Sequence, residues 1–266
     1  MTMDIVPRII AQKDNALGQT PWGGWSATFM SIGFLVFQFT IAALLGVVLV
    51  LSMLGTTVFE GGFSAGEVKM LIDIAIISFA ISYFLTIGLI VFVSSLRGGR
   101  ARDVLLLGKP VQFVFNLIVG VVLLVMFFGL MSYVIETFFA NDARQNDAQM
   151  KQIFTALKSS NLLWGGIAIV VIGAPIVEEM IFRGFLLNSL STTRLGFWGG
   201  AVVSSLLWSL VHGYAASMAV GLFVFGLLLS LMVKRTGSIW ISIILHSFWN
   251  GIVTAGMFVA LGNSVT

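Results

Sequence analysis

The chain has 266 residues, of which 58% are apolar and 9% charged, with a formal net charge of +3. Soluble domains carry about 25% charged residues, so this composition excludes a soluble enzyme and a disordered chain. Basic residues scattered thinly between apolar runs exclude a nucleic-acid partner, and the absence of cysteine excludes disulfides, thiolate metal sites, cysteine nucleophiles and cysteine lipidation.

Residues 1–27 are mixed and polar, with Pro7, Arg8, Lys13 and Asp14. No apolar core follows directly on a charged start, so a cleaved signal peptide is not expected. Trp22 and Trp25 precede the first apolar run, where an interfacial anchor belongs. Charge-free runs then follow at Thr28–Leu54, Ile74–Leu96 and Val111–Ile135. Each is long enough to cross a hydrocarbon core as a helix, which takes about 20 residues. The polar stretch Asn141–Ser160 reads as a surface loop or an interfacial amphipathic helix. A fourth apolar run, Ser159–Val177, meets Glu178, Glu179 and Arg183 and continues to Leu190. Leu195–Val233 is too long for one span, and breaks at His212-Gly213-Tyr214; Thr236–Thr266 completes the chain.

The expected fold is therefore an all-α polytopic membrane bundle with helices at 28–54, 70–96, 111–139, 161–189, 196–212, 216–234 and 239–261. That makes seven spans, or eight membrane elements if the polar stretch dips into the bilayer. The expected organisation is a polar N-terminal segment 1–27, three helices without motifs in 28–140, the polar element 141–160 and a four-helix core 161–262. With the N-terminus inside, nine Lys/Arg fall on inner segments and four on outer ones. This predicts a multi-pass protein of a prokaryotic plasma (inner) membrane, with the N-terminus cytoplasmic and the C-terminus outside.

Ionisable groups inside a bilayer are expensive, and each asks for a reason. The second half of the chain holds Glu178-Glu179-Met180-Ile181-Phe182-Arg183, then Trp208 four residues before His212, then His246 four before Asn250. At helical spacing each i,i+4 pair shares a face. Glu179–Arg183 alone would be an ion pair locking two helices. Glu178 is a second, adjacent carboxylate which that reading leaves unexplained. Counted from the inner ends of their helices, Glu178 and His246 both lie about 15 Å deep. His212 counts to about 25 Å, so its helix must tilt, begin below the surface or end inside the membrane. A carboxylate can serve as general base to a water, and a histidine can share that proton or pass it to a leaving amine. A histidine and an asparagine amide can donate to a developing oxyanion. The set suits hydrolysis at an acyl carbon.

Three such motifs in order, Glu178-Glu179…Arg183, Trp208…His212 and His246…Asn250, resemble those of the CPBP intramembrane proteases, also called the CAAX-protease and bacteriocin-processing (Abi) family. Gly184 after the arginine, and Thr236-Gly237-Ser238-Ile239-Trp240 before the last motif, are also similar to the family. The resemblance covers 162–259 and departs at Trp208, where phenylalanine is usual; the expectation is altered packing with catalysis retained. It implies a peptidase in which Glu178 and His212 activate water, His246 and Asn250 form the oxyanion pocket, and Glu179 and Arg183 hold the site. Its partners would be a peptide or membrane-protein substrate and the lipid bilayer. No cofactor is favoured. The alternative is zinc held by Glu178, His212 and His246, against which stand the asparagine, a poor zinc ligand, and the neighbouring arginine. The competing readings are a non-catalytic scaffold or immunity protein of the same fold, and a transporter-like bundle, for which the internal repeat of many transporters is missing.

Overall fold

The computed structural model describes Leu17 and residues 20–54 and 63–263. The polar residues Pro7, Arg8, Lys13 and Asp14 lie outside the described residues. Eight helices carry the architecture: α1 (Gly24–Leu54), α2 (Ala65–Ser94), α3 (Phe113–Phe138), α4 (Ala140–Ser159), α5 (Leu163–Ser191), α6 (Gly196–Leu210), α7 (Ala216–Thr236) and α8 (Trp240–Asn263). Six of them, all but α4 and α6, are long and apolar enough to cross a membrane. No strand occurs among the described residues.

The first two helices show why such sequences pack in lipid. Ala27, Ser31, Phe34, Gln38 and Ala42 form the buried stripe of α1, and Ser78, Ser82 and Thr86 lie on that of α2. Small residues let the two backbones approach closely where no hydrophobic drive between helices exists. Their other faces expose Phe29, Val36, Phe84 and Phe92, as a lipid-facing surface requires. Ser64 and Glu67 close a capping box at the start of α2, which fixes that end without tertiary help.

Two elements refine the sequence reading. The polar stretch is a helix, α4, the second of its two expected forms, and it is not among the helices long and apolar enough to cross a membrane. It docks across one end of the bundle by its few apolar residues, with Phe154 edge-on to Phe258 of α8 and Leu157 buried. Its ends are tied. Asp142 accepts from the backbone N–H of Ser217 in the first turn of α7 at 3.2 Å, and Asp73 of α2 accepts from Ser160 Oγ at 2.5 Å and from Asn161 Nδ2 at 2.7 Å. The other is α6, which ends at Leu210 after 15 residues, within two residues of the break expected at His212-Gly213-Tyr214, about 22 Å of rise against a core of about 30 Å. His212 follows in the turn closed by Gly213 at φ +65°.

At the opposite end of the bundle the connection between α2 and α3 turns inward. Val104, Leu105 and Leu106 are buried, Asn188 of α5 donates to the Val104 carbonyl at 2.9 Å, and Ile239 N–H donates to the Leu106 carbonyl at 3.1 Å. Gly184 admits this segment: a Cβ there would stand 3.0 Å from the Leu105 carbonyl oxygen.

Candidate active site

The site begins with a proline. Pro175 has no N–H and cannot continue an α-helical ladder, and α5 answers by winding Ile169–Gly173 as π-helix, with Ala174 N–H on the Ile169 carbonyl. In that register the next donor would serve Val170, but the next residue is the proline. The Val170 carbonyl is taken instead by Asn250 Nδ2 of α8, at 2.9 Å. A second π segment, Met180–Leu187, follows the two glutamates, and Ser204 Oγ of α6 donates to its Phe182 carbonyl at 2.7 Å. Such π turns occur often at functional sites, because they release backbone groups and reset side-chain directions.

Between the two π segments stand Glu178 and Glu179, and they face different partners. Glu179 is fully buried; its Oε1 accepts from Arg183 Nη1 at 3.0 Å and from His246 Nδ1 at 3.1 Å. Arg183, also fully buried, lies over the Trp208 ring at 4.5 Å. Glu178 is partly buried, and its Oε2 accepts from Trp208 Nε1 at 2.6 Å. The same oxygen lies 3.9 Å from Nε2 of His212 and 3.9 Å from Nε2 of His246.

Both histidines are oriented from behind. His212 Nδ1 lies 2.7 Å from the Trp208 carbonyl, and His246 Nδ1 faces the Glu179 carboxylate. Those oxygens only accept, so in each ring Nδ1 carries the proton and Nε2 is turned toward Glu178. Trp208 packs edge-on to both rings, at 5.0 and 5.3 Å between centroids. All seven residues singled out in the sequence therefore meet: Glu178, Trp208, His212, His246 and Asn250 line one cavity, and Glu179 and Arg183 sit behind it.

That cavity, about 550 Å³, runs from Glu178 toward the end covered by α4. Its walls contain residues that the motifs do not announce. Tyr83 of α2 lies against the π segment, where a Cβ at Gly173 would stand 3.1 Å from its ring. Tyr214 stacks on His212 and donates to Met150 Sδ of α4 at 3.6 Å; burial first and the Glu178 charge second hold its phenol above the usual range. Asn146 of α4 accepts from Ala215 N–H at 3.4 Å. The one sequence signal for α4 was its amphipathic pattern, which tells that a helix lies on something but not on what.

Among the described residues no group of three His, Cys, Asp or Glu side chains is disposed to hold a metal ion. Glu178 Oε2 is already engaged by an indole N–H, and a guanidinium rests on that same indole.

No curated protein and no solved structure matches the chain. Residues 160–252, from the start of α5 through Asn250 of α8, are similar to the family described as type II CAAX prenyl endopeptidase Rce1-like.

Proposed function

We propose that the protein is an intramembrane endopeptidase that hydrolyses peptide bonds with a water activated by Glu178 and histidine. The observation that carries this is the convergence of Glu178 Oε2 with Nε2 of His212 and of His246, at 3.9 Å each, on the wall of a largely apolar cavity. A water held among these three atoms attacks the scissile carbonyl carbon, and its proton passes to Glu178. The carbonyl oxygen takes up the negative charge. Asn250 keeps one amide N–H beyond the one given to Val170, and that N–H stabilises the oxyanion. His246 joins it when it holds a second proton at Nε2, with the Glu179 carboxylate behind the ring balancing the charge. On collapse the C–N bond breaks and the leaving amine takes the proton back, from Glu178 directly or through His212 Nε2. Water is consumed and two peptides leave.

The buried Glu179–Arg183 pair has a supporting part. Removing one partner of such a pair is far more costly than the pair is stabilising, so its role is to fix His246 and Trp208 in place. A chain of this fold acting only as scaffold or immunity protein would have no need of three polar atoms aimed at one point. The reading also places the N-terminus in the cytoplasm and the C-terminus outside, in the plasma membrane of a prokaryote, on the Lys/Arg asymmetry. The test is hydrolysis of an internally quenched apolar peptide by the purified protein. Wild type should cleave, and Glu178→Gln should be folded and inactive, because an amide is no base. Wild-type turnover in Glu178→Gln would remove the proposed base.

A further inference from the structure

The two ends of the bundle differ in charge. Among the described residues, one end holds Arg97, Arg100, Arg102, Lys109, Arg194, Lys234 and Arg235 against a single carboxylate, Asp103. Contacts between connections hold this end together: Arg97 lies over Trp22 at 4.7 Å, Lys234 over Trp198 at 4.7 Å, and Arg235 Nε donates to Asn116 at 3.0 Å. At the other end Lys69, Arg144, Lys151 and Lys158 are matched by Glu67, Asp73, Glu136, Asp142 and Asp147. An excess of Lys/Arg marks the cytoplasmic side.

Access to the site is equally one-sided. From Glu178 toward the basic end the packing is closed: Ile181, Phe182 and Phe185 are fully buried, and the Val104–Leu106 segment plugs the gap against Gly184. Toward the other end the cavity is lined by Val170, Val253, Met218 and Met257 and by the exposed carboxylates Glu136 and Asp147. Four methionines line it, Met131, Met150, Met218 and Met257, and no Lys or Arg does.

Resting on the peptidase reading above, we infer that the site takes its substrate from the membrane face opposite the basic end, the non-cytoplasmic face. The substrate is an apolar stretch of an exported polypeptide, cut internally rather than trimmed at a free carboxyl end. Unbranched, polarisable methionine side chains accommodate varied apolar residues. A free carboxylate a few residues beyond the scissile bond would lie between Glu178 and Glu136, with Asp147 already paired to Lys151 at 2.7 Å and no Lys or Arg on the wall to receive it. The discrimination is against like charge, which specificity commonly uses.

The chain has no cysteine, so single cysteines report sidedness cleanly. Val253→Cys on the cavity wall, with Ser132→Cys as a second wall position, and Arg102→Cys at the basic end are exposed to a membrane-impermeant maleimide in intact cells and in inverted vesicles. The wall positions should label in intact cells, and Arg102→Cys only in inverted vesicles. Wall labelling confined to inverted vesicles overturns the inference. The chemical arm uses wild type with an apolar fluorogenic peptide, either amidated or bearing a free carboxylate three residues past the scissile bond. The amidated form should show a kcat/KM about tenfold or more higher, and an equal or reversed preference overturns the substrate class. Expected labelling with no hydrolysis of either peptide counts against the peptidase reading alone and leaves the one-sided access established.

Discussion

The indole of Trp208 touches Glu178 by hydrogen bond, Arg183 by its π face, and His212 and His246 by edge contacts. A phenylalanine, the usual residue at this place in the resemblance, offers the ring without the N–H. Trp208→Phe should therefore keep the packing while freeing Glu178 Oε2. A hydrogen bond to a charged group is worth about 1.5–3 kcal/mol. Spent in the transition state, that predicts a fall in kcat of about tenfold or more with KM little changed, read from steady-state kinetics. Unchanged kcat would mean that the bond does not position the carboxylate. The adjacent glutamate predicts a different signature. Glu179→Gln leaves Arg183 buried without its counter-charge and should cost about 3–5 kcal/mol of stability, seen as a lowered Tm in detergent. Glu178→Gln should barely move Tm, and equal losses in the two variants would contradict the division of labour between the carboxylates.

At the scale of the element, α5 is shaped by Pro175. The proline strands the Val170 carbonyl, and the side chain that fills the place is Asn250, itself the proposed oxyanion donor. Asn250→Ala should thus cost twice: about 1–3 kcal/mol of stability for the unpaired carbonyl, and about 10²–10³ in kcat for the lost donor. Asn250→Asp can keep the bond to Val170 only when protonated, so it should resemble alanine in stability at neutral pH. Thermal unfolding and kcat measured on the same preparations check both. A stable Asn250→Ala protein would show that α5 finds another partner for Val170.

At the scale of the molecule, the bundle has a closed basic end and an open end roofed by α4, whose tethers are Asp142 on α7 and Asp73 on α2. The polar centre lies between them, with Glu178, His212 and His246 committed to hydrogen bonds with protein or aimed at one another. Hydrolysis by this arrangement should survive exhaustive chelation with unchanged kcat. Loss of activity on chelation, restored by stoichiometric zinc, would make Glu178, His212 and His246 ligands and replace the proposed base.

What the sequence determined by itself was set by solvent. Apolar runs of some twenty residues have no stable place but the bilayer, and charged residues within them had to find one another, so the helices and the three motif pairs were legible. Helix ends within a residue or two of Leu54, Thr236 and Asn263 followed from the same patterns. The tertiary structure alone decided the π winding around Pro175, the inward plug at Leu105 and the docking of α4. Each depends on a partner distant in the chain: Ser204 and Asn250 for the carbonyls of α5, Gly184 for the plug, and Asp73 with the first turn of α7 for the roof. Periodicity records which face of a helix avoids water. It carries no record of which neighbour meets that face, and in a bundle whose neighbours are as apolar as lipid, that choice rests on fit and on a few hydrogen bonds.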